Sequence, residues 1–442
     1  MKKIRIAFIV LAGLFFYSIL LSSFVRNIYL NDDSDERWGV LAKPVRFMAE
    51  IPSLAKRSLQ PGEFMLSNSE QPGGVSYAKN VAKSEYPKLL VSYKDMRFGQ
   101  KVELIDLTNG KTIKRWEPDN QALYRESHNP ENPQKQQEGS DLYFLHPFLA
   151  ADSSLIFTSQ LTSLMARIDS NNGITWLKKD RRYHHTIEQD HEGKLFVCSR
   201  PFLSGKYDFL PVAYDAYKEV LIDDAITRID PGNGNLLFNK SVLEILLENG
   251  YEKLLLGKGQ FISDPIHLND IQPALEDSEF WKKGDLLVSC RNLSAVFLYR
   301  PSTNKILWLR QGPWYNQHDA DFLDHNKIVV FGNDVIREES TIDPRMTDEN
   351  LFFSNKRANN DVYIYNFEKD SVITPYNRLM KNEGIRTYTS GRCEILTNGE
   401  VFIEDTNNGR IIIGDSIQKK IEYVKRIDDE HISSLFWSRI IY

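Results

Sequence analysis

The chain has 442 residues, 41% hydrophobic and 12% aromatic, which supports a packed core and excludes a disordered chain. Its net charge is −5 and no basic block interleaves with aromatics, which excludes nucleic acid as a partner. Cys198, Cys290 and Cys393 lie far apart without CxxC spacing, which argues against zinc and for buried free thiols.

In chain order, Lys2, Lys3 and Arg5 precede an uncharged apolar run from Ile6 to Val25. About 20 apolar residues is the length of a membrane-spanning helix. The basic flank predicts a cytoplasmic N-terminus and an exported body. Residues 1–25 are therefore expected to be an inner-membrane signal anchor, with the remainder on the periplasmic side. Cleavage of this segment is left open, as is a homodimer. Residues 26–75 read as a charged linker, in which Trp38–Leu59 is either a spacer or a short amphipathic helix.

Residues 76–442 have β texture. Short apolar runs alternate with Asx-Gly and Pro turns. One hairpin unit recurs: Val102–Asp106 with Asn109-Gly110 and Trp116, Ala166–Asp169 with Asn172-Gly173 and Trp176, Thr227–Asp230 with Asn233-Gly234 and Phe238. Val296–Tyr299 with Trp308 follows, then weaker copies at Val362–Tyr365 and Arg410–Ile413. The aspartates of these units read as turn residues and the aromatics as packing between units. Six units of this kind predict an all-β, six-bladed β-propeller behind the N-terminal transmembrane helix. Ser204–Val220 and Glu338–Asn360 interrupt the pattern as lid candidates. Val242–Lys258 reads as a helix, and Pro273–Trp281 as a short helical stretch.

The nine histidines are not scattered evenly. His146, His185 and His318 each stand 9 or 10 residues before an apolar strand, at Leu155, Leu195 and Ile328, and His267 precedes Leu286 with a longer gap. In a closed ring, one polar residue per repeat points at a common centre. Taking those apolar strands as the inner strands of the blades puts the four histidines near the axis on one face. Arg392 holds the matching point of the last unit, and Arg291 lies on the strand of the His267 unit. Neighbouring His184 is expected to point away from His185. Several imidazoles with guanidiniums suit either a metal or an oxyanion. The arginines favour the anion, because they repel a cation.

Four segments then resemble the bacterial arylsulfotransferase family. Tyr183-His184-His185-Thr186-Ile187-Glu188 is similar to its first histidine motif, and Asp264–Asp270, with His267 and Asn269, to its His-x-Asn motif. Leu286–Ala295 matches the arginine-bearing strand, and Gln317-His318-Asp319 the Gln-His-Asp motif. The resemblance spans about residues 85 to 430. It implies nucleotide-independent, ping-pong sulfuryl transfer, without cofactor or metal, from an aryl sulfate donor to a phenolic acceptor. His318 would become sulfohistidine, and His267, His185 and Arg291 would bind the sulfuryl oxygens with Asn269 nearby; Arg392 and His146 are expected to contact substrate from their phase in the repeat alone. Thr186 stands where the family usually has Asp, and no closely spaced cysteine pair is present. The alternative is a non-catalytic propeller that binds a sulfated or other anionic ligand or a protein partner.

Overall fold

The structure is a computed structural model. It describes residues 65–442 apart from 69, 80, 82–85, 95–98, 130–141, 160–161, 203–220, 258–262 and 335–359, and before residue 65 it describes only 13, 15–25 and 45. Residues 15–25 are helical. Among the described residues no helix is long and apolar enough to cross a membrane. Most of the expected anchor lies outside the described residues, as do Trp38–Leu59 apart from Val45, Ser204–Val220, and Glu338–Asn360 apart from Asn360.

The chain divides into two units, and the second runs from Met65 to Tyr442. Its strands form six antiparallel blades. Blade II comprises Phe144–Leu149, Leu155–Ser159, Leu164–Ile168 and Ile174–Lys178. Blades III, IV and V begin with Arg182–Gln189, Leu268–Pro273 and Asp319–Asp324, and each continues through three further strands in sequence order. Blade VI runs from Arg392–Ile395 outward and gains a fifth strand, Gly74–Tyr77, paired with Lys419–Val424. Strand Met65–Ser67 pairs with His431–Ser433. Among the described residues, strand pairing reaches back to Met65.

Each recurring hairpin seen in the sequence is the outer pair of one blade. Their turns are held by the expected aspartates. Asp106 accepts the backbone N–H of Thr108, Asp169 those of Asn171 and Gly173, and Asp230 that of Gly232. Second strands such as Leu155–Ser159 and Leu286–Cys290 are buried along their whole length, whereas outer strands such as Lys111–Trp116 are largely exposed. A continuous apolar run therefore marks a strand covered on both faces.

The core is a circle of layers between blades. Leu90, Trp116, Phe144 and Phe157 join blade I to II. Ile156, Tyr183 and Val197 join II to III. Cys198, Ile226, Val288 and Phe297 join III to IV. Leu287, Val296, Ala320 and Val330 join IV to V. Val329, Val362, Val401 and Ile412 join V to VI, and Leu89, Ile105, Phe402 and Ile413 return to blade I. The tryptophans bridge the same layers: Trp116 donates to Ser153 O and Trp176 to Pro231 O. Cys198, Cys290 and Cys393 are buried free thiols.

Two readings of local structure change. Val242–Lys258 forms two short helices, Val242–Glu248 and Glu252–Leu256, the first capped by Ser241. Pro273–Trp281 is not helical. Pro273 ends a strand opposite Leu286, and Ser278 Oγ accepts the Phe280 and Trp281 N–H groups in a turn.

The ring closes through its ends. The C-terminal strand Arg439–Ile441 pairs with Lys88–Lys94 and becomes the innermost strand of blade I. Glu404 of blade VI is fully buried and fixes this return, accepting the N–H groups of Trp437, at 2.9 Å, and Ser438. Glu404→Ala leaves two buried donors without an acceptor, so it should cost about 2–4 kcal/mol. Urea unfolding would read this as a lower midpoint at unchanged slope; an unchanged midpoint would contradict this closure.

Candidate active site

The apolar strands that follow the histidines are second strands, not inner ones. The histidines stand on or just before the inner strands themselves. These inner strands contact one another around the axis. Aligned by blade, the axial position is occupied by His146, His185, His267, His318, Arg392 and Arg439. Each blade also has one non-glycine residue with positive φ here. In blades II, III and IV it is the histidine itself, at 49° for His146 and 52° for His185 and His267. In the other three it lies two residues earlier, at Asn316 (53°), Ser390 (56°) and Trp437 (58°). Left-handed backbone is uncommon outside glycine and persists where surrounding contacts hold it. In blades II and III it makes an irregularity inside the inner strand, and in the other blades it lies just before that strand; in blade III it breaks the alternation of side chains. His184 consequently does not point away: its Nδ1 lies 2.8 Å from Nδ1 of His185.

Three imidazoles converge. The His185 ring centroid is 5.5 Å from that of His267 and 6.3 Å from that of His318. Each is held from behind. His267 Nδ1 meets Asp264 Oδ2 at 2.6 Å, and His318 Nδ1 meets Asn333 Oδ1 at 2.7 Å. The Asn333 amide is oriented by its NH₂, which donates to Thr387 O and Ser390 O. Its oxygen must therefore face His318, which assigns the ring proton to Nδ1 and a lone pair to Nε2. Burial pushes His318 well below the usual histidine range, and the Arg291 charge adds to it. His185 is likewise well below, through burial and then the charges of His184, His267, His318 and Arg200. Both rings are neutral near pH 7.

Arg291 is not on an inner strand. It follows Cys290, the last residue of a second strand, in a short 3₁₀ turn whose N–H donates to His267 O. Asn269 holds the entry to His318, its amide donating to Gln317 O at 2.7 Å, while its own Oδ1 is buried without a hydrogen-bond partner among the described residues. His146 is buried against Trp437, with ring centroids 3.4 Å apart, and neither ring nitrogen has a hydrogen-bond partner among the described residues. Burial, then Arg439, pushes His146 well below the usual range.

Below the imidazoles lies a belt of carboxylates. Glu188, Asp270 and Asp321 each follow an axial histidine by three residues, a His-x-x-acid pattern legible in the sequence but not read there as a signal. Oxygens of Asp270, Asp319 and Asp321 lie within 4.8 Å of one another, a spacing that could hold a cation. Arg392 supplies positive charge here instead, 4.0 Å from Asp319, 3.9 Å from Asp321 and 3.7 Å from Glu394. Arg392 is thus tied to the belt rather than joined to the three imidazoles. Burial pushes the Asp321 carboxyl up to about 7, and that of Asp270 well above its usual range with the help of Asp321 and Glu188. Thr186 belongs to the belt as well, its hydroxyl 3.5 Å from Glu188 Oε1. The orientation of His185 therefore comes from His184.

Sequence reasoning missed several residues. Arg439 completes the sixth axial position and pairs with Glu188 at 3.0 Å. Arg200 ends a second strand, and its charge reaches His184 and His185. Asp224 lies 3.2 Å from His184. The sequence signal for Arg439 was the Ser-Arg-Ile echo of Gly391-Arg392-Cys393. Arg200 and Asp224 carried none.

A nitrogen-detected NMR titration should find His146, His185 and His318 still neutral at pH 6.5, where a free imidazole is about half protonated. His318 should carry its proton on Nδ1. Protonation of His318 at or above pH 6.5, or a proton on Nε2, would contradict the assignment.

No curated protein matches this chain. Among solved structures, a protein of unknown function from Bacteroides caccae is similar at 11% identity and TM-score 0.44, covering 79% of this chain and 98% of that one. Hydrazine synthase of Kuenenia stuttgartiensis is similar at 10% identity and TM-score 0.38, over 77% and 80% of the two chains. Virginiamycin B lyase of Staphylococcus aureus is similar at 10% identity and TM-score 0.38, over 84% and 98%. The arylsulfotransferase (ASST) family model matches residues 146–425, more than half of the chain and all of the converging histidines. This propeller belongs to the arylsulfotransferase family.

Proposed function

We propose that this chain transfers a sulfuryl group from a phenolic sulfate ester to a phenolic acceptor through two displacements at His318. The observation that carries this reading is a buried imidazole whose Nδ1 proton is held by Asn333, which leaves the lone pair on Nε2, beside His185 and within reach of the Arg291 charge. In the first displacement the Nε2 lone pair forms the N–S bond while the S–O bond to the phenol breaks. In the second the acceptor oxygen takes the sulfuryl group and the electron pair returns to Nε2. Splitting one transfer into two lowers each barrier. Negative charge on the sulfuryl oxygens in flight is met by donors from Arg291 and His267, in a buried site where such donors act strongly. The family membership supports the substrate class. Residues 6–25 are proposed to hold the protein at a membrane with the propeller on the extracytoplasmic side. Membrane fractionation of the full chain should find it in the pellet, and recovery in the soluble fraction would contradict the anchor.

Incubation with 4-nitrophenyl sulfate, acid-free digestion and mass spectrometry should find a sulfuryl adduct on the peptide containing His318. His318→Asn should abolish the adduct and lower turnover on the order of 10⁴-fold. Arg291→Ala should lower kcat about 10²–10³-fold while the adduct still forms. Absence of any adduct and of phenol release across several aryl sulfates would sink the reading. It would leave a propeller that only binds such anions.

A further inference from the structure

Behind the three converging imidazoles stands a fourth that sulfuryl transfer at His318 does not itself use. His184 is nine-tenths buried or more and lies between two partners. Its Nδ1 is 2.8 Å from His185 Nδ1, and its Nε2 is 3.2 Å from Asp224 Oδ1. The N–H at Nε2 is not aimed squarely at that oxygen, so the contact is chiefly electrostatic. Asp224 is itself fixed, its Oδ2 accepting the Leu268 N–H at 2.7 Å.

Two Nδ1 atoms at hydrogen-bond distance cannot both carry protons or both carry lone pairs. One donates and the other accepts. The carboxylate of Asp224 decides which. An anionic oxygen 3.2 Å from His184 Nε2 repels a lone pair there and favours N–H. Neutral His184 then has a bare Nδ1, so His185 must donate from its own Nδ1. The lone pair of His185 is left on Nε2, on the ring whose centroid lies 5.5 Å from His267 and 6.3 Å from His318. Burial works against the Asp224 charge, but His184, Arg200 and His267 together outweigh it and hold the carboxyl below its usual range.

We infer that Asp224 and His184 are positioning residues that set His185 as the acid–base group of the reaction, with His185 Nε2 taking the proton of the incoming phenol. This rests on the sulfuryl-transfer reading above. In the acceptor step the phenol O–H proton moves to His185 Nε2, the phenol oxygen forms the O–S bond, and the N–S bond to His318 breaks with its electron pair going to His318. The new charge on His185 is shared across the 2.8 Å bond to His184 and offset by Asp224. His185, neutral in the resting enzyme, passes that proton to solvent, and the phenol of the next donor leaves as its phenolate while the N–S bond to His318 forms. Other groups facing His185 are His267, His318 and the guanidinium of Arg200, all of which resist its protonation. Asp224 is the counterweight. A donor whose phenol is already acidic needs no proton to leave, so the relay matters least for the donor step with 4-nitrophenyl sulfate and most for acceptors of high pKa.

Asp224→Asn separates the relay from the fold. Its Oδ1 can still accept the Leu268 N–H, while its NH₂ faces His184 Nε2 and forces the lone pair there. The tautomers of both rings then reverse and His185 Nε2 carries a proton. Single-turnover kinetics of this variant should give a His318 adduct from 4-nitrophenyl sulfate within about threefold of the wild-type rate. Transfer from the adduct to unsubstituted phenol should slow on the order of 10²-fold or more, with loss of the acidic limb of its pH profile. His184→Phe, which removes the acceptor for His185 Nδ1–H, should do the same, and His184→Gln, which restores an acceptor oxygen, should recover most of the rate. Nitrogen-detected NMR of the resting enzyme should show His185 protonated on Nδ1 in the wild type and on Nε2 in Asp224→Asn. Acceptor rates within a few-fold of wild type in folded Asp224→Asn and His184→Phe, or an unaltered His185 tautomer, would overturn the relay. A wild-type enzyme that forms no adduct would instead overturn sulfuryl transfer, and the NMR result would still decide the tautomer.

Discussion

The constraint on which this site depends is the left-handed residue on or just before the inner strand of each blade. A continuous β-strand would send successive side chains to opposite faces and spread the polar groups between channel and blade interior. One residue with φ near +50° per blade resets the direction where the chain reaches the axis. Blades II to IV place that turn on the histidine, and blades V, VI and I place it two residues earlier. His184 and His185 can therefore meet through Nδ1, and His185 can face His267 and His318 across the axis. The cost of six such residues is carried by the circle of apolar layers and by Glu404 at the closure.

The third residue after each of three axial histidines is acidic, and Arg392 and Arg439, which share the axial position with the histidines, pair with these carboxylates. Burial acts on imidazoles and carboxylates in opposite senses and drives both toward neutrality: histidines downward, Asp270, Asp319 and Asp321 upward. His185 and His318 keep nitrogen lone pairs at neutral pH, which a nucleophile and a base both require. Arg392 is retained by the carboxylates, which leaves Arg291, near His318, and Arg200, near His185, to meet an anion.

Much of the architecture was legible in the sequence because its information is local. An aspartate, an Asx-Gly turn and an aromatic define each outer hairpin within about a dozen residues, and six copies imply a ring. The phase of His146, His185, His267 and His318 carried through to the axis, although the apolar strands after them proved to be second strands. What stayed hidden depends on the chain reversing or closing. Arg439 belongs to a blade split between the two ends of the chain. His184 was misplaced by the alternation rule, because positive φ at a histidine has no sequence signature. Arg392 has the right phase, but its direction is set by carboxylates from another blade. Asp224 acts on His184 from the residue just before strand Ala225–Ile229, and no spacing reveals that.

The central claim is that His318 itself carries the sulfuryl group between donor and acceptor. Pre-steady-state release of 4-nitrophenol without acceptor tests it most directly. The account predicts a burst of about one equivalent per chain that disappears in His318→Asn. Linear release without a burst, or a burst that survives His318→Asn, would contradict it.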